Sequence, residues 1–325
     1  MNAGAPLSVL MFHGVRKEIP DYAVFPGGRT CLIRESDFES CISWCARTHR
    51  IVSLADIPRY LRGDATEPGI LITFDDGLAS VTDLAVPILQ RHHATAVLFV
   101  TTGWVDSGET PAIFRLERDL WETPPRRVDV RANGHEFSAA VETKAGARRA
   151  VAALWSWCFE QQIAPVSLRT ESVRLDGRAW APDPSRQDRG FWFPATWEAI
   201  TSAAASGTLE IAAHGVTHTP WPWLSARERH AEIGGARERL ESIVHRPVRA
   251  CSYPHGRFDA ETIATVREQY DWGFTTIGRP VHGATPYELP RFHVPGERPV
   301  IMDAILRWPL VARALRVGAS VLNLD

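Results

Sequence analysis

Short apolar runs, each stopped by a polar or glycine-containing turn, recur along the 325-residue chain. They cover Leu7 to Phe12, Ile70 to Phe74, Ala94 to Val100, Leu209 to Ala213, Val248 to Tyr253 and Trp272 to Thr276. Runs of this length that are apolar on both alternating faces predict buried strands. Between several of them lie amphipathic stretches with helix punctuation: Ser80 to Arg91, Thr196 to Ala205 closed by Gly207, and Ser225 to His245 closed by Pro247. Strands alternating with helices predict βαβ units and a parallel sheet.

From about Trp104 to Gly190 the rhythm breaks. The region holds an alternating, strand-like Arg127 to Val130, a helix-like Lys144 to Glu160 and a polar, proline-containing Ala181 to Gly190. An insertion on one main domain spanning residues 1–325 is the economical reading, with a small separate domain as the alternative. Near the end, Ile301 to Leu322 mixes apolar residues with Arg307, Arg313 and Arg316 at roughly helical spacing. Such a segment suits a last helix packed on the body, or a peripheral contact with a membrane surface.

Composition agrees with a globular chain: 45% of residues are hydrophobic and 23% charged, enough for a large core, and this excludes disordered and fibrous classes. A formal net charge of -2, with basic residues dispersed apart from pairs such as Arg126-Arg127 and Arg148-Arg149, leaves no footprint for nucleic acid. The five cysteines, Cys31, Cys41, Cys45, Cys158 and Cys251, contain no CxxC and are odd in number, which suits reduced thiols. The start, MNAGAPLSVLMFHG, lacks a basic n-region and a long apolar core, and no run reaches the roughly 20 apolar residues of a spanning helix. These features predict a cytoplasmic protein, at the inner face of the membrane if the C-terminal segment binds there.

Polar residues interrupt the strand runs at their ends. LMF runs into His13-Gly14, ILITF into Asp75-Asp76-Gly77, LEIAA into His214, and ACSY into Pro254-His255-Gly256. In a parallel α/β scaffold the carboxyl ends of the strands share one face, where catalytic groups collect. Adjacent carboxylates repel, so Asp75-Asp76 is costly unless a proton or cation resolves the conflict. His214 and His218 are four residues apart, a spacing that lets two imidazoles reach one ion. Two histidines and one carboxylate leave coordination positions open for water and substrate. Singly, each piece has a plainer explanation: Asp-Asp-Gly as a turn, HxxxH as unrelated histidines, His13 as a satisfied buried histidine.

Together the residues resemble the polysaccharide deacetylases, carbohydrate esterase family 4 with its NodB-homology domain. Leu71 to Gly77 resembles the family's TFDDG signature, and His214 to His218 its HxxxH signature. Ser252 to Gly256 is similar to the YPYG-like element, Tyr270 to Phe274 to the segment after it, and Leu289 to His293 to a late strand. The resemblance runs from about Leu7 to Val294. It implies a distorted (β/α) barrel with fewer than eight strands, and a divalent metal held by Asp76, His214 and His218. Zinc is the first expectation, with cobalt, nickel or iron compatible with the same ligands.

By that resemblance Asp75 is the general base, and the residue after Pro254, here His255, offers a backbone N–H to the oxyanion. The general acid is a histidine: His13 is preferred, then His293, then His255. Arg291 would orient Asp75 or pair on the surface. Trp221 and Trp223 offer a flat face to a sugar, or serve as core. The implied activity is removal of an N-acetyl group from an amino sugar: a sugar nucleotide, a lipid-linked saccharide or a glycan precursor. The alternatives are a deformylase or other linear or cyclic amide hydrolase on the same scaffold, and a non-catalytic glycan-binding relative.

Overall fold

The computed structural model of the chain describes residues 5–19, 31–182, 192–281 and 284–294. In chain order its elements are β1 (Leu7–Phe12), β2 (Gly14–Arg16), β3 (Leu32–Arg34), α1 (Glu35–Thr48), β4 (Arg50–Ile51), α2 (Ile57–Leu61), β5 (Gly69–Phe74), α3 (Val86–Arg91), β6 (Ala96–Val100), α4 (Thr102–Ser107), α5 (Ala112–Glu122), β7 (Arg127–Ala132) and β8 (His135–Ala140). They continue with α6 (Lys144–Glu160), β9 (Val173–Leu175), β10 (Arg178–Ala179), α7 (Trp197–Ala205), β11 (Leu209–Ala213), α8 (Ala226–Val244), β12 (Ala250–Ser252), α9 (Ala260–Gln269), β13 (Trp272–Phe274) and β14 (Phe292–His293).

Parallel pairing in the order β13-β12-β11-β6-β5-β1-β14 builds the main sheet. Short β4 pairs with the start of β5, at Gly69 and Ile70, while β6 pairs with its end, at Thr73 and Phe74. The sheet curls. Leu289, just before β14, bridges Phe274 of β13, with Leu289 N–H on the Gly273 carbonyl and Thr275 N–H on the Leu289 carbonyl, both at 2.8 Å. Phe292 and His293 then pair with Leu10 and Met11 of β1. One stretch of chain thus touches both edges, giving the distorted barrel of seven described staves that fits the expectation of fewer than eight strands.

The side-chain alternation of strands sorts residues between two cores. Leu10, Phe12, Ile70, Ile72, Phe74, Leu98 and Val100 face the surrounding helices, where Phe38, Cys41, Ile42 and Cys45 of α1 meet them. Phe12 lies 5.2 Å edge-to-face from Phe38 and 5.5 Å from Phe74, ring to ring. Opposite-parity residues Val9, Leu71, Val97, Phe99, Ala212, Ala250 and Phe274 fill the barrel interior. Burying one such side chain fully is worth roughly 1.5–3 kcal/mol, so a one-residue slip of any strand would forfeit several contacts at once.

Helix punctuation holds with one adjustment. Ser225 and Glu228 form a capping box at the start of α8. The predicted helix from Ser80 to Arg91 instead opens with a π turn at Val81–Ala85, in which Val86 donates to the Val81 carbonyl, before α3. Pro87 explains it: proline has no N–H and crowds the carbonyl four residues back, and a wider turn removes the clash.

Within the stretch set apart by sequence, β7 to β10 form an antiparallel sheet in the order β10-β9-β7-β8, packed with α5 and α6. Val128, Val130, Leu154 and Cys158 join the helix-side core of the barrel. Most of Ala181 to Gly190 and the whole of Ile301 to Leu322 lie outside the described residues. Among the described residues no helix is long and apolar enough to cross a membrane.

Candidate active site

Continuing each strand's alternation past its end carries the inward parity onto polar residues: His13 after Val9 and Met11, Asp75 after Leu71 and Thr73, His214 after Ala212, Ser252 after Ala250, and Arg291 with His293 on the closing stretch. The apolar interior is therefore roofed by a polar layer at the carboxyl ends. Asp75, Asp76, His214, His218 and Arg291 are all buried there.

Asp75 and Arg291 form a closed fork. Arg291 Nη1 donates to Oδ1 at 2.7 Å and Nη2 to Oδ2 at 2.8 Å, while its Nε donates to the Thr275 carbonyl at 2.9 Å. Its guanidinium carbon lies 5.2 Å from the centroid of the Phe99 ring, on the roof of the interior. Burial alone would raise the Asp75 carboxyl, but the Arg291 charge, with His214 and His13, outweighs it and holds the group well below the usual carboxylate range. The pairing also resolves half of the repulsion expected of Asp75-Asp76.

Asp76 answers the other half. Burial pushes against its ionisation, and His218, His13 and His214 more than compensate, so its pKa too is lowered. Its Oδ1 is 3.3 Å from His218 Nε2 and 3.6 Å from His214 Nε2, yet it has no hydrogen bond among the described residues. Two donor atoms about 2.1 Å from one tetrahedral ion lie about 3.4 Å apart, so these separations suit three ligands around a cation. Among the described residues Asp76, His214 and His218 form a fully buried cluster with donor atoms within 4.8 Å of one another. The orphaned carboxylate oxygen is the observation that makes this donor set fit a divalent ion.

The imidazoles are prepared for that use. His214 Nδ1 lies 3.0 Å from the Ser252 carbonyl, which can only accept, so Nδ1 carries the proton and Nε2 presents its lone pair. Burial pushes its pKa down to about 4, against the raising effect of Asp75, so the ring is neutral near pH 7. The loop carrying His218 is tied from behind: Glu232 of α8 accepts from Val216 N–H at 2.9 Å and Thr217 N–H at 3.0 Å. Gly215 has φ +81, and a Cβ there would lie 3.1 Å from both Glu232 Oε2 and Trp221 Nε1. Asp76, His218 and His255 have φ of 76, 64 and 56, left-handed backbone that few non-glycine residues adopt. Three such residues around one cluster show that the surrounding structure, not local preference, sets the geometry.

The other candidates fall into place around this centre. His13 leaves β1 beside Asp75, whose N–H donates to the Phe12 carbonyl at 3.0 Å; it is half-buried, with its ring centroid 6.1 Å from that of His293. His255 follows Pro254 in a short turn after β12, its ring 4.4 Å from His218 and 5.1 Å from Phe159 of α6. Burial and the adjacent His218 and His214 lower its pKa well below the ordinary histidine value. Arg291 is wholly buried on Asp75, which excludes the surface-pair alternative. Trp221 is wholly buried, edge-on to Tyr253 at 5.6 Å, so it has no face to offer a sugar; this corrects its expected role in substrate binding. Trp223 is half-buried against Phe159.

Ser252 and Glu232 were not singled out from sequence, although both left a trace. Ser252 has the inward parity of β12, and Glu232 shares the buried stripe of α8 with Arg229, Ile233, Ala236 and Leu240.

A family model described as polysaccharide deacetylase matches residues 62–139 and 181–275. No curated protein matches the chain. Among solved structures it is similar to the deacetylase PplD of Streptococcus pyogenes in complex with acetate, with a TM-score of 0.63 and 14% identity over 94% of this chain and 100% of that one. It is also similar to IcaB from Ammonifex degensii, with a TM-score of 0.58 and 18% identity over 93% and 97% of the two chains. For BC0361, a polysaccharide deacetylase from Bacillus cereus, the TM-score is 0.58 with 15% identity over 93% and 69%. At these identities the structural likeness shows a shared fold.

Proposed function

The chain belongs to the polysaccharide deacetylase family, and from that premise we propose that it hydrolyses the N-acetyl group of an amino sugar carried on a sugar nucleotide, a lipid or a glycan precursor. The observation that carries this is the Asp75-Asp76 pair, split by its surroundings into two roles. Asp75 is ionised and oriented by the Arg291 fork, and Asp76 faces two imidazoles with an oxygen that has no hydrogen bond among the described residues.

Asp76, His214 and His218 would hold a divalent ion, zinc by base rate. When bound, such an ion polarises the amide carbonyl and acidifies the attacking water, the help that a base as weak as Asp75 needs. Asp75 takes the proton of the water that attacks the acyl carbon. The backbone N–H of His255 faces the developing oxyanion. His13 gives its proton to the departing amine as the C–N bond breaks, leaving acetate and a free amino sugar.

The test is to incubate N-acylated sugars with protein supplemented with zinc, cobalt or nickel and follow substrate mass and released acid. Acetate release that falls by about 10²–10⁴-fold in Asp75→Asn supports the proposal. Formate release would move it to the deformylase alternative. Equal turnover by wild type and Asp75→Asn, or no acid release with any metal, would overturn it.

A further inference from the structure

A second cluster of metal-binding groups lies on the same rim as Asp75. We propose that His13, Cys31 and His293 form a separate cation site, selective for zinc or another thiolate-preferring ion, whose occupation shuts down the catalytic centre. Their donor atoms, two imidazole nitrogens and one thiol sulfur, lie within 4.8 Å of one another. Around one zinc ion the nitrogen-to-sulfur separations would be about 3.6 Å, so closure takes at most about an ångström of side-chain movement. Half-buried positions at all three residues leave room for it.

The backbone brings the three together from distant parts of the sequence. Gly14 N–H donates to the Cys31 carbonyl at 3.3 Å, and Gly14 pairs with Leu32, which fixes Cys31 alongside His13. His293 is in register with Met11 of β1, and Val294 N–H donates to the Met11 carbonyl at 3.1 Å. His13 Nδ1 is buried and has no hydrogen bond among the described residues. Cys31 is half-buried at the margin of the helix-side core, inside which Cys41, Cys45, Cys158 and Cys251 are buried. Burial, with Asp76 and Asp75 nearby, raises the Cys31 thiol, so a cation would bind it as the thiolate and release its proton to solvent.

The two clusters differ in softness. Asp76, His214 and His218 offer one oxygen and two nitrogens, and His13, Cys31 and His293 offer one sulfur and two nitrogens, which favours zinc over manganese or magnesium. An ion on His13 occupies the lone pair or displaces the proton that the departing amine needs. This inhibitory half of the proposal rests on His13 being the proton donor; the binding half does not.

The experiment uses the full chain under reducing conditions, stripped of metal and titrated with zinc and, separately, cobalt. Equilibrium dialysis with elemental analysis is expected to give two zinc ions per wild-type chain and one per Cys31→Ala chain, with Cys31→Ser as the second variant. Cobalt should produce a thiolate-to-metal charge-transfer band in wild type and none in either variant. With substrate, excess zinc should inhibit wild type at least tenfold and spare both variants, whose turnover at one equivalent is unchanged. A single zinc ion per wild-type chain, or a charge-transfer band that persists in the variants, would overturn the site. Two ions without inhibition would overturn only the regulatory half. Because counting and spectrum need no substrate, failure here is distinguishable from failure of the deacetylase proposal.

Discussion

The rim of the barrel carries two histidine-containing clusters built to different standards. In the Asp76, His214, His218 cluster every residue is buried and its surroundings are fixed: His214 by Ser252, the His218 loop by Glu232, the neighbouring Asp75 by Arg291. In the His13, Cys31, His293 cluster the groups are half-buried, and the alignment of Cys31 rests on the backbone contact with Gly14. Preorganisation accounts for the contrast. A site that must hold one geometry through catalysis is supported by a layer of buried hydrogen bonds, while a site open to solvent keeps the freedom to rearrange.

Breaking the support of the first cluster should be the most damaging change. Arg291→Met leaves the Asp75 carboxylate buried without its cation, and we expect a loss of about 3–5 kcal/mol in urea unfolding together with nearly all turnover. The sign with pH follows from the lowered pKa of Asp75. Its contribution to stability is fully present above the unfolded value near 4 and is lost only as pH falls through the lower folded value, so wild type should show no Asp75 transition between pH 5 and 8. In the variant burial raises the Asp75 carboxyl, so its contribution reverses and stability should fall as pH rises above about 4; a pH dependence matching wild type would refute the role of the fork.

Next in size is the contrast between the two rim histidines. His13→Ala should slow turnover about 10²–10⁴-fold, while His293→Ala should cost less than about tenfold in single-turnover assays. The reverse order would transfer the proton-donor role to His293. Glu232→Gln touches no ligand, and we expect roughly tenfold weaker metal binding by competitive chelator titration, with turnover restored at saturating metal. Turnover that stays low at saturation would mean that Glu232 shapes more than the loop.

An effect on stability alone lies in α5, within the stretch that sequence sets apart. Burial raises Glu117 of α5 to about 7, against a 2.6 Å hydrogen bond from Trp155 Nε1 that lowers it. An acid raised on folding favours the protonated native state, so stability should fall as pH rises from about 4.5 to 7, by up to roughly 3 kcal/mol. Glu117→Gln keeps an acceptor for Trp155 and should flatten the melting temperature over that range.

Six strands of the barrel and the helices α3, α7 and α8 were legible because burial on two faces imposes long apolar runs and helices announce their ends. Lys144–Glu160 was legible for the same reason. Helices α1, α2, α4, α5 and α9 and the short pairs β2-β3 and β9-β10 were not singled out. The start of α1, at Arg34, has no side-chain cap, and two- or three-residue strands are too short to show a period. The DDG and HxxxH motifs named the residues that the fold gathers into the buried Asp76, His214, His218 cluster. Glu232 was hidden among the charges of α8, where a buried carboxylate and a solvated one look alike in sequence.

From the residues themselves came most strands of the main sheet, several of the helices between them, and the placing of Asp75, Asp76 and His214 at strand ends with His218 four residues beyond His214. Those are consequences of local periodicity and of polar residues being excluded from strand interiors. Tertiary structure alone decided that Arg291, 216 residues from Asp75, closes on it, that Trp221 turns inward, and that Cys31 comes beside His13. The reason is the curl of the sheet. Which distant side chains meet on the rim depends on how far the barrel closes, and closure is a property of all the strands together that no single segment carries.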